Sequence, residues 1–430
     1  MTLPESIALD KGVALRGLDV IEAPIARPAT RSLTPWLLIQ ALVTYGVFGA
    51  VQAVLIPNQL SIIDPIHKIG DYATIAAFFA TVSVVSQPLI GAFSDRTRSR
   101  LGRRALWMLI GAALGAAAMA VMSVSNNVIA VGLCAAVLSL GLNAIIAPMS
   151  AVLPDRYPVE RRGIASAMIG LGSLLGGTVG SIAAAMLAAQ LGIAYMSFAI
   201  ALLAITVLFL VFYRDFSSKD VPLERFSLKA FVKSFWVSPR KHPEFGWAFL
   251  ARFLFVLGFA SVSTFTFFLL TDYVGLSLDE ANAKVGLVGL AALPGMIIAV
   301  LLTGILSDKL GRRRIFIWVG SAILIVGVLV PLLMPTVLGI IVMTVLSGFG
   351  YGMYQASDVV LMTQVLPKGG TAVGKDLGIL NIATGIPQAL APAVAAFVIS
   401  TVFAYPGLFM SAGIIVFIGA IAIIPIKSVR

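Results

Sequence analysis

Long apolar runs, separated by short polar connections, occupy most of the chain. A membrane-spanning helix needs about 20 mainly apolar residues. The runs are continuous and long rather than short and alternating, so the pattern excludes a transmembrane β-barrel and predicts an all-α membrane protein. Twelve spans are predicted, at residues 35–58, 72–94, 104–123, 127–153, 162–188, 193–213, 246–271, 283–307, 314–333, 337–366, 376–400 and 404–426.

Composition supports the same class. Of the 430 residues, 59% are hydrophobic and 11% are charged, and the mean hydropathy is +1.02, whereas soluble domains carry about 25% charged residues. The single cysteine, Cys134, excludes an internal disulfide. Residues 1–34 contain several charges and no apolar stretch of signal-peptide length, so we expect a cytoplasmic tail there.

The basic residues predict the orientation of the chain. With the tail inside, all but three of the 30 Lys and Arg residues fall in the tail, in the connections on its side or at the C-terminus; the exceptions are Lys68, Lys284 and Arg252. Cytoplasmic loops of membrane proteins are rich in Lys and Arg. We therefore expect a multi-pass protein of the plasma or inner membrane with both termini in the cytoplasm. The net charge of +11 then reflects topology and attraction to anionic membrane lipid, not nucleic-acid binding.

The chain contains an internal repeat. A glycine four positions before an Asp-Arg or Asp-Lys pair, followed by Gly-Arg-Arg, occurs after the second span and again after the eighth. The two Asp residues, Asp95 and Asp308, are 213 positions apart, and so are two Leu-Pro pairs that end at Pro154 and Pro367. Two markers at one interval indicate a duplicated chain. The predicted units are a tail at 1–34, a six-helix bundle at 35–213, a central segment at 214–244 and a second six-helix bundle at 245–430.

The repeated loop resembles the signature loop of the major facilitator superfamily, and the resemblance covers nearly the whole chain. It implies twelve helices in two pseudo-symmetric six-helix bundles. Spans one, four, seven and ten would line a central cavity that opens alternately to either side of the membrane. The first loop, which runs from Ser94 to Arg100 and continues with Gly102, Arg103 and Arg104, is also similar to that of sugar–cation symporters of the glycoside and sucrose types.

The resemblance implies that these loops latch the two bundles together on the cytoplasmic side while the cavity faces outward. A carboxylate at the end of one helix can accept hydrogen bonds from the free N–H groups at the start of another. By symmetry, Asp95 would face the start of span eleven near Lys375, and Asp308 the start of span five near Arg161. The glycine that opens each repeat would let two helices approach closely. The alternative is that the arginines only set the topology. The predicted latch residues are Gly91, Asp95, Arg96, Gly102, Arg103, Arg104, Gly304, Asp308, Lys309, Gly311, Arg312 and Arg313.

Two charges lie inside predicted spans, where ionisable residues are costly and commonly functional. Arg252 lies about six residues into span seven, and Asp358 about eight residues before the end of span ten, so the two share a similar depth. We expect them to pair, with Asp358 as the candidate proton acceptor. The alternative is a static structural pair. Sodium-coupled glycoside symporters carry carboxylates within spans two and four, but here the corresponding positions offer only Gln87 and, at the end of span four, Asp155. This departure disfavours a sodium site and leaves proton coupling or no coupling.

Neutral polar residues on the presumed cavity spans are candidates for substrate binding. Amides, hydroxyls and aromatic faces suit an uncharged, polyhydroxylated solute such as a sugar. The alternative is that each of them bonds a neighbouring helix, as membrane amides commonly do. The candidates are Tyr45, Gln52, Asn143, Tyr354 and Gln355.

The chain offers no recognisable catalytic set. Its two histidines, His67 and His242, fall in predicted connections on opposite sides of the membrane, and no Cys/His cluster or phosphate-binding glycine loop occurs. We expect no enzyme activity, no cofactor and no metal. The predicted function is secondary active transport by a monomer, in the form of proton-coupled uptake of a sugar-like small polar solute. The alternatives are proton-driven efflux of amphiphilic compounds and a non-transporting membrane receptor. The central segment is expected to form an amphipathic helix on the lipid surface.

Overall fold

The structure, a computed structural model, describes residues 33–215, 240, 242–310, 313–365, 373–401 and 403–426. Eleven segments of this part are long and apolar enough to cross a membrane, and one of them, Arg161–Tyr213, is 53 residues long. A three-residue turn at Ala188–Gln190 divides that segment into two helices, which confirms the predicted twelve. The helices are α1 (Leu33–Ile63), α2 (Lys68–Arg96), α3 (Ala105–Met122), α4 (Val128–Arg156), α5 (Val159–Leu187), α6 (Leu191–Tyr213), α7 (Pro243–Ser263, continued by Thr266–Phe268 and Leu269–Tyr273), α8 (Leu278–Leu310), α9 (Arg313–Leu333), α10 (Val337–Val365), α11 (Val373–Thr401) and α12 (Ala404–Ile421).

One helix extends beyond its apolar run because a polar cap prolongs it. Helix α8 begins at Leu278, five residues before the predicted start, where Ser277 and Glu280 cap it reciprocally. The Ser277 backbone N–H donates to Glu280 at 3.0 Å, and the Glu280 N–H donates to the Ser277 hydroxyl at 3.3 Å. This is a capping box, which satisfies N–H groups that have no partner within the helix.

Glycines bring several helix backbones into direct contact. A Cβ atom on Gly172 would lie 2.6 Å from the Leu38 carbonyl oxygen, and one on Gly176 would lie 2.5 Å from the Leu42 carbonyl oxygen. One turn later, Gly180 and Gly46 pack backbone to backbone. Residues at intervals of four lie on one helix face, so this stripe seats α5 against α1. The close packing expected from its spacing is present.

Two further glycine pairs repeat across the two halves. Gly111 of α3 packs against Gly141 of α4, and Gly320 of α9 packs against Gly350 of α10. Each member of the second pair follows its counterpart by 209 positions. The two halves therefore share internal packing as well as loop sequence, as expected for a duplicated chain.

The first helix of each bundle is irregular. Helix α1 contains a π-helical turn at Val51–Leu55, directly before Pro57. Proline lacks an N–H and cannot make the usual bond to the preceding turn, which gives the interruption a physical cause. Helix α7 breaks after Ser263 and has its own π-helical turn at Leu269–Tyr273. In α7 the Ser261 hydroxyl donates to the Leu257 carbonyl at 2.7 Å, and such bonding back to the preceding turn bends helices.

Alternate connections lie on opposite faces of the molecule because the helices cross the membrane one after another. We call the face with the α2–α3, α4–α5 and α8–α9 connections the basic face, and the other the opposite face. Between bundles, α2 packs against α11 and α5 packs against α8. At these seams, a Cβ on Gly385 would meet Val84, and one on Gly286 would meet Ile182. The predicted central segment, 214–244, lies mostly outside the described residues.

Candidate functional site

The first signature loop forms a charged network on the basic face. The Arg104 guanidinium lies 2.6 Å from the Asp95 carboxylate and donates to Asp155 of α4 at 2.9 Å, while Arg103 donates to Asp155 at 2.7 Å. The Arg104 side chain is 5% exposed, whereas that of Asp95 is 55% exposed. Burial disfavours the charged guanidinium, but attraction to Asp155 and Asp95 outweighs it and raises the pKa of Arg104 above its ordinary value. The network stays within the first bundle.

The structure describes only part of the predicted latch. Asp95 binds Arg104 of its own bundle, and a Cβ added to Gly91 or to Gly304 would meet no atom within 4 Å. The described residues therefore show no close helix approach at these two glycines, and the latch itself stays a prediction. Arg96 donates to the Ala92 carbonyl at 3.1 Å within α2, and Lys309 is exposed. The side chains of Asp308, Arg312 and Arg313, all of Gly311, and the side chains of Lys375 and Asp376 lie outside the described residues.

Asp215 supports the same loop and was missing from the sequence prediction. Its Oδ2 accepts hydrogen bonds from the backbone N–H groups of Arg104 at 2.9 Å and Ala105 at 3.1 Å. It therefore caps the start of α3 from the end of α6, where a carboxylate is also stabilised by the helix dipole. Gly102 has a φ of +96°, and a side chain there would overlap the Asp215 carboxylate. Glycine is required at this position by both backbone conformation and space.

The predicted pair inside the membrane is in contact. Arg252 Nη1 lies 2.9 Å from Asp358 Oδ2, and the two side chains are 7% and 2% exposed. Neither atom has a well-directed hydrogen bond, so the contact is mainly electrostatic. Arg252 Nε also donates to Thr384 of α11 at 3.0 Å. The pair therefore links α7, α10 and α11, and Thr384 is a partner that the sequence analysis did not identify.

Aromatic rings surround this pair. Tyr354 lies one turn before Asp358 on α10 and within electrostatic reach of it. Its ring stacks on Phe255 of α7 with centroids 3.6 Å apart. Phe259 stacks on Tyr351 at 4.4 Å. Four stacked rings, two from α7 and two from α10, thus form an aromatic wall beside the buried charges.

The five substrate candidates divide into two groups. Asn143 is 3% exposed and bridges helices, since its amide donates to the Ser83 hydroxyl at 2.9 Å and to the Ser139 carbonyl at 2.8 Å. Tyr354 is 1% exposed and packs against Phe255. Within the described part of the chain, the other three have partly exposed side chains without hydrogen bonds to protein; these are Tyr45, Gln52 and Gln355. Gln52 lies in the π-helical turn of α1, and such turns are frequent at functional sites.

Polar contacts close the two bundles against each other on the opposite face. Lys68 of α2 pairs with Asp272 of α7 at 2.6 Å, and Tyr405 of α12 donates to the second carboxylate oxygen of Asp272 at 3.1 Å. The side-chain amides of Asn58 in α1 and Asn282 in α8 bond reciprocally, and the Asn282 amide donates at 3.0 Å. The Lys68 and Asn58 contacts join residues that are 204 and 224 positions apart, one in each bundle, whereas Tyr405 binds Asp272 within the second bundle.

Tyr72 connects the two irregular helices. Its hydroxyl lies 2.9 Å from the Gln52 carbonyl oxygen of α1 and 3.2 Å from the Thr264 carbonyl oxygen of α7. A hydroxyl has a single proton to donate, so the two carbonyls share it. The ring packs edge-on against Phe265 and Phe268 and is 1% exposed. This residue therefore binds both bundles at the points where their first helices are interrupted.

No group of three or more His, Cys, Asp and Glu side chains able to hold a metal ion occurs among the described residues. The arrangement instead places one buried ion pair, stacked aromatic rings and three partly exposed polar side chains on α1, α7 and α10. Among the described residues, the polar side-chain contacts between the bundles named above lie on the opposite face.

Comparison with known proteins agrees with this architecture. The sequence model of the Major Facilitator Superfamily matches residues 37–374 and 269–429. A search of curated proteins finds no match. Among solved structures, the chain is similar to the nucleoside transporter NupG, as a point mutant, with a TM-score of 0.70 and 13% identity over 92% of this chain and 99% of that one.

A second similar structure is a bacterial homolog of the human lysosomal transporter Spinster. In its inward-facing and unoccupied conformation the TM-score is 0.68, with 13% identity over 92% of this chain and 97% of that one. In its inward-facing and occupied conformation the TM-score is 0.67, with 14% identity over 91% and 95%. At such identities the likeness shows the fold alone.

Proposed function

Because the chain belongs to the major facilitator superfamily and is therefore a secondary transporter that works by alternating access, not an enzyme, we propose that it takes up a sugar-like small polar solute together with protons. The observation that carries this proposal is the buried Arg252–Asp358 pair, which lies beside the aromatic wall of α7 and α10. The protein acts as a monomer in the cell membrane, with both termini in the cytoplasm.

Protonation of Asp358 gives the pair a way to couple proton and solute movement. A buried ion pair is stabilised by the attraction of its partners, and removal of one charge leaves the other uncompensated at a cost of about 3–5 kcal/mol. A proton on Asp358 thus releases the Nη1 end of Arg252, which then turns toward a hydroxyl of the solute while Nε stays bonded to Thr384. This change at the junction of α7, α10 and α11 favours rearrangement of the second bundle against the first.

The half-buried amides support a neutral hydrogen-bonding solute. Gln52 and Gln355 each offer two donors and an acceptor that the described protein leaves unused, and Tyr45 adds a hydroxyl. Stacked rings such as Phe259 and Tyr351 suit the apolar face of a sugar ring or of a nucleoside, the substrate class of the similar NupG structure. Asn143 has its amide donors bonded to protein, so its role here is to hold α4 against α2.

A second candidate is proton-driven efflux of amphiphilic compounds. It is favoured by the same wall of rings, of which Phe255 and Phe259 are purely apolar. A non-transporting receptor is a third candidate. It is disfavoured by the intact charged network around Arg104, because such contacts serve a conformational cycle.

Transport by purified protein in sealed vesicles distinguishes the candidates. A thermal-shift screen against sugars, nucleosides, organic acids and cationic drugs first selects a solute. Radiolabelled solute is then followed under an imposed proton gradient and, separately, in counterflow without a gradient. Uptake predicts accumulation driven by inward proton movement, whereas efflux predicts depletion, and a receptor would show neither accumulation nor counterflow.

The Asp358→Asn variant tests the coupling role. We expect it to lose gradient-driven accumulation by at least tenfold while counterflow persists, because a neutral side chain still packs but no longer titrates. Gln87→Ala is the matched control, since it alters an intramembrane polar residue outside the pair. Unchanged concentrative uptake by Asp358→Asn would remove this residue from coupling.

A further inference from the structure

A small crevice lies between α3 and α6 where both helices reach the basic face. It is lined by Arg100, Leu101, Ala105, Leu109, Leu210, Arg214 and Asp215, with a volume of about 240 Å³. This is smaller than the roughly 300–1,000 Å³ of pockets for drug-sized molecules. Its rim is charged and its floor is apolar. Because it lies where two membrane helices end, it is at the depth of the lipid headgroups.

Two guanidinium groups on the rim are available for an anion. Arg100 and Arg214 are both exposed, and within the described part of the chain neither makes an ion pair or a side-chain hydrogen bond. In contrast, the neighbouring Arg103 and Arg104 are bound to carboxylates. The charge of Arg100 and Arg214 is therefore not neutralised by the described protein.

The one acidic residue of the crevice is already engaged. Asp215 accepts the N–H groups of Arg104 and Ala105 at the positive end of α3, which offsets its charge toward the crevice. Arg214 adopts the left-handed conformation with a φ of 45°. This conformation is unfavourable for residues other than glycine. It turns the chain at the end of α6 so that Asp215 reaches α3 while Arg214 stays on the rim.

We propose that this crevice binds the headgroup of an anionic phospholipid. The phosphate would lie between the Arg100 and Arg214 guanidiniums, which recognise phosphate oxygens in a bidentate manner. The acyl chains would extend from the crevice over Leu101, Leu109 and Leu210 into the bilayer. Basic pockets between membrane helices on the side rich in Lys and Arg are suited to anionic headgroups.

A bound lipid would also reinforce the α3–α6 junction. Asp215, just after the end of α6, contacts the first signature loop, and Arg214 lines the same crevice. A headgroup that spans Arg100 and Arg214 would tie this loop to α6 from the lipid side. The proposal concerns lipid recognition and does not depend on which solute is carried.

Native mass spectrometry of the full-length protein in mild detergent tests the proposal. The protein is titrated with phosphatidylglycerol or with phosphatidylcholine, and bound lipids are counted. We expect one tight phosphatidylglycerol site in the unmodified protein, at least tenfold weaker in the double variant Arg100→Gln/Arg214→Gln, since each arginine near an anionic headgroup contributes about 1 kcal/mol. The double variant Arg100→Lys/Arg214→Lys keeps the charge but loses bidentate geometry, so its affinity should fall severalfold.

The matched control removes the same charge from the same face. Arg161→Gln/Lys309→Gln alters two exposed cations outside the crevice and should retain the tight site. An equal loss of phosphatidylglycerol affinity in this control would overturn the proposal in favour of a general effect of surface charge. Unchanged phosphatidylglycerol binding in Arg100→Gln/Arg214→Gln would also overturn it. Displacement of the lipid by inorganic phosphate at equal concentration would identify a soluble-anion site instead. The midpoint temperature of thermal unfolding is measured for each variant, and a value equal to that of the unmodified protein shows that the fold is kept.

Discussion

The two faces of the transporter use their polar residues in opposite ways. On the opposite face, Lys68–Asp272 and Asn58–Asn282 join one bundle to the other. On the basic face, the ion pairs that Arg104 makes with described residues stay within the first bundle, and a Cβ on Gly91 or Gly304 would meet no described atom within 4 Å. The conformation is therefore closed on the opposite face.

This difference shows why the charged loops need partners within their own bundle. When the basic face is open, Asp95 must not be left without a cation, and Arg104 provides it at 2.6 Å. When that face closes, the exposed carboxylate can add a contact to the second bundle without breaking Arg104 away from Asp155. The opposite face has less reserve, because Lys68 loses its carboxylate partner on separation and Asp272 keeps only hydroxyl donors such as Tyr405.

The largest effect is expected from locking the closed face. In a Cys134→Ser background, Asn58→Cys and Asn282→Cys treated with a short bifunctional thiol reagent should abolish transport almost completely, since the bundles can no longer separate there. Reduction of the linker should restore it. Each single cysteine variant with the same reagent is the control. Full transport by the cross-linked protein would show that this contact does not open during the cycle.

A large effect is also expected from the basic face. Asp95→Asn should lower transport by at least tenfold while expression stays normal, because the neutral side chain loses its attraction to Arg104 and cannot latch to the second bundle. Uptake is measured per amount of purified protein. Thr97→Ala in the same loop serves as the comparison. Normal uptake by well-expressed Asp95→Asn would remove this residue from the latch.

A moderate effect is expected when the ion pair of the opposite face is removed. Asp272→Asn removes the negative charge opposite Lys68 while leaving an acceptor for Tyr405, and a partly exposed ion pair contributes about 1 kcal/mol. The equilibrium should shift about fivefold toward opening of this face. The rate at which a membrane-impermeant thiol reagent labels Gln52→Cys in the Cys134→Ser background measures the shift. An unchanged labelling rate would mean that the pair does not hold the face closed.

The smallest effect is expected from Tyr72→Phe. The ring keeps its packing against Phe265 and Phe268, but one hydroxyl that bridges two carbonyls is lost, at about 0.5–1.5 kcal/mol. The same labelling assay should detect a shift of about twofold, because the two carbonyls share one proton and the loss lies at the lower end of this range. Addition of Tyr72→Phe to Asp272→Asn should then give roughly the product of the two shifts. If both single variants were silent, closure of this face would depend on packing alone.

The helices could be predicted because burial in lipid demands long apolar runs, and the depth of Arg252 and Asp358 followed from counting residues along helices. The capping of α3 by Asp215 could not be predicted, because it joins positions more than 100 residues apart and depends on how α6 ends. The partner of Lys68 was equally hidden, since it depends on the rotation of α2 and α7 about their axes. Only Pro57 signalled the interruption of α1. The amide donors of Asn143 bond Ser83 and the Ser139 carbonyl, which residue type alone could not show.

The glycine stripe that seats α5 on α1 has a mechanical consequence for the closed face. Because the two backbones are in direct contact at Gly172, Gly176 and Gly180, we expect α1 and α5 to move as one rigid unit. This unit contacts α8 at two places: Asn58 binds Asn282, and Ile182 packs against Gly286. Asn282 and Gly286 lie about one helical turn apart on α8. We therefore expect the two contacts to separate together, so that this face opens in a single step.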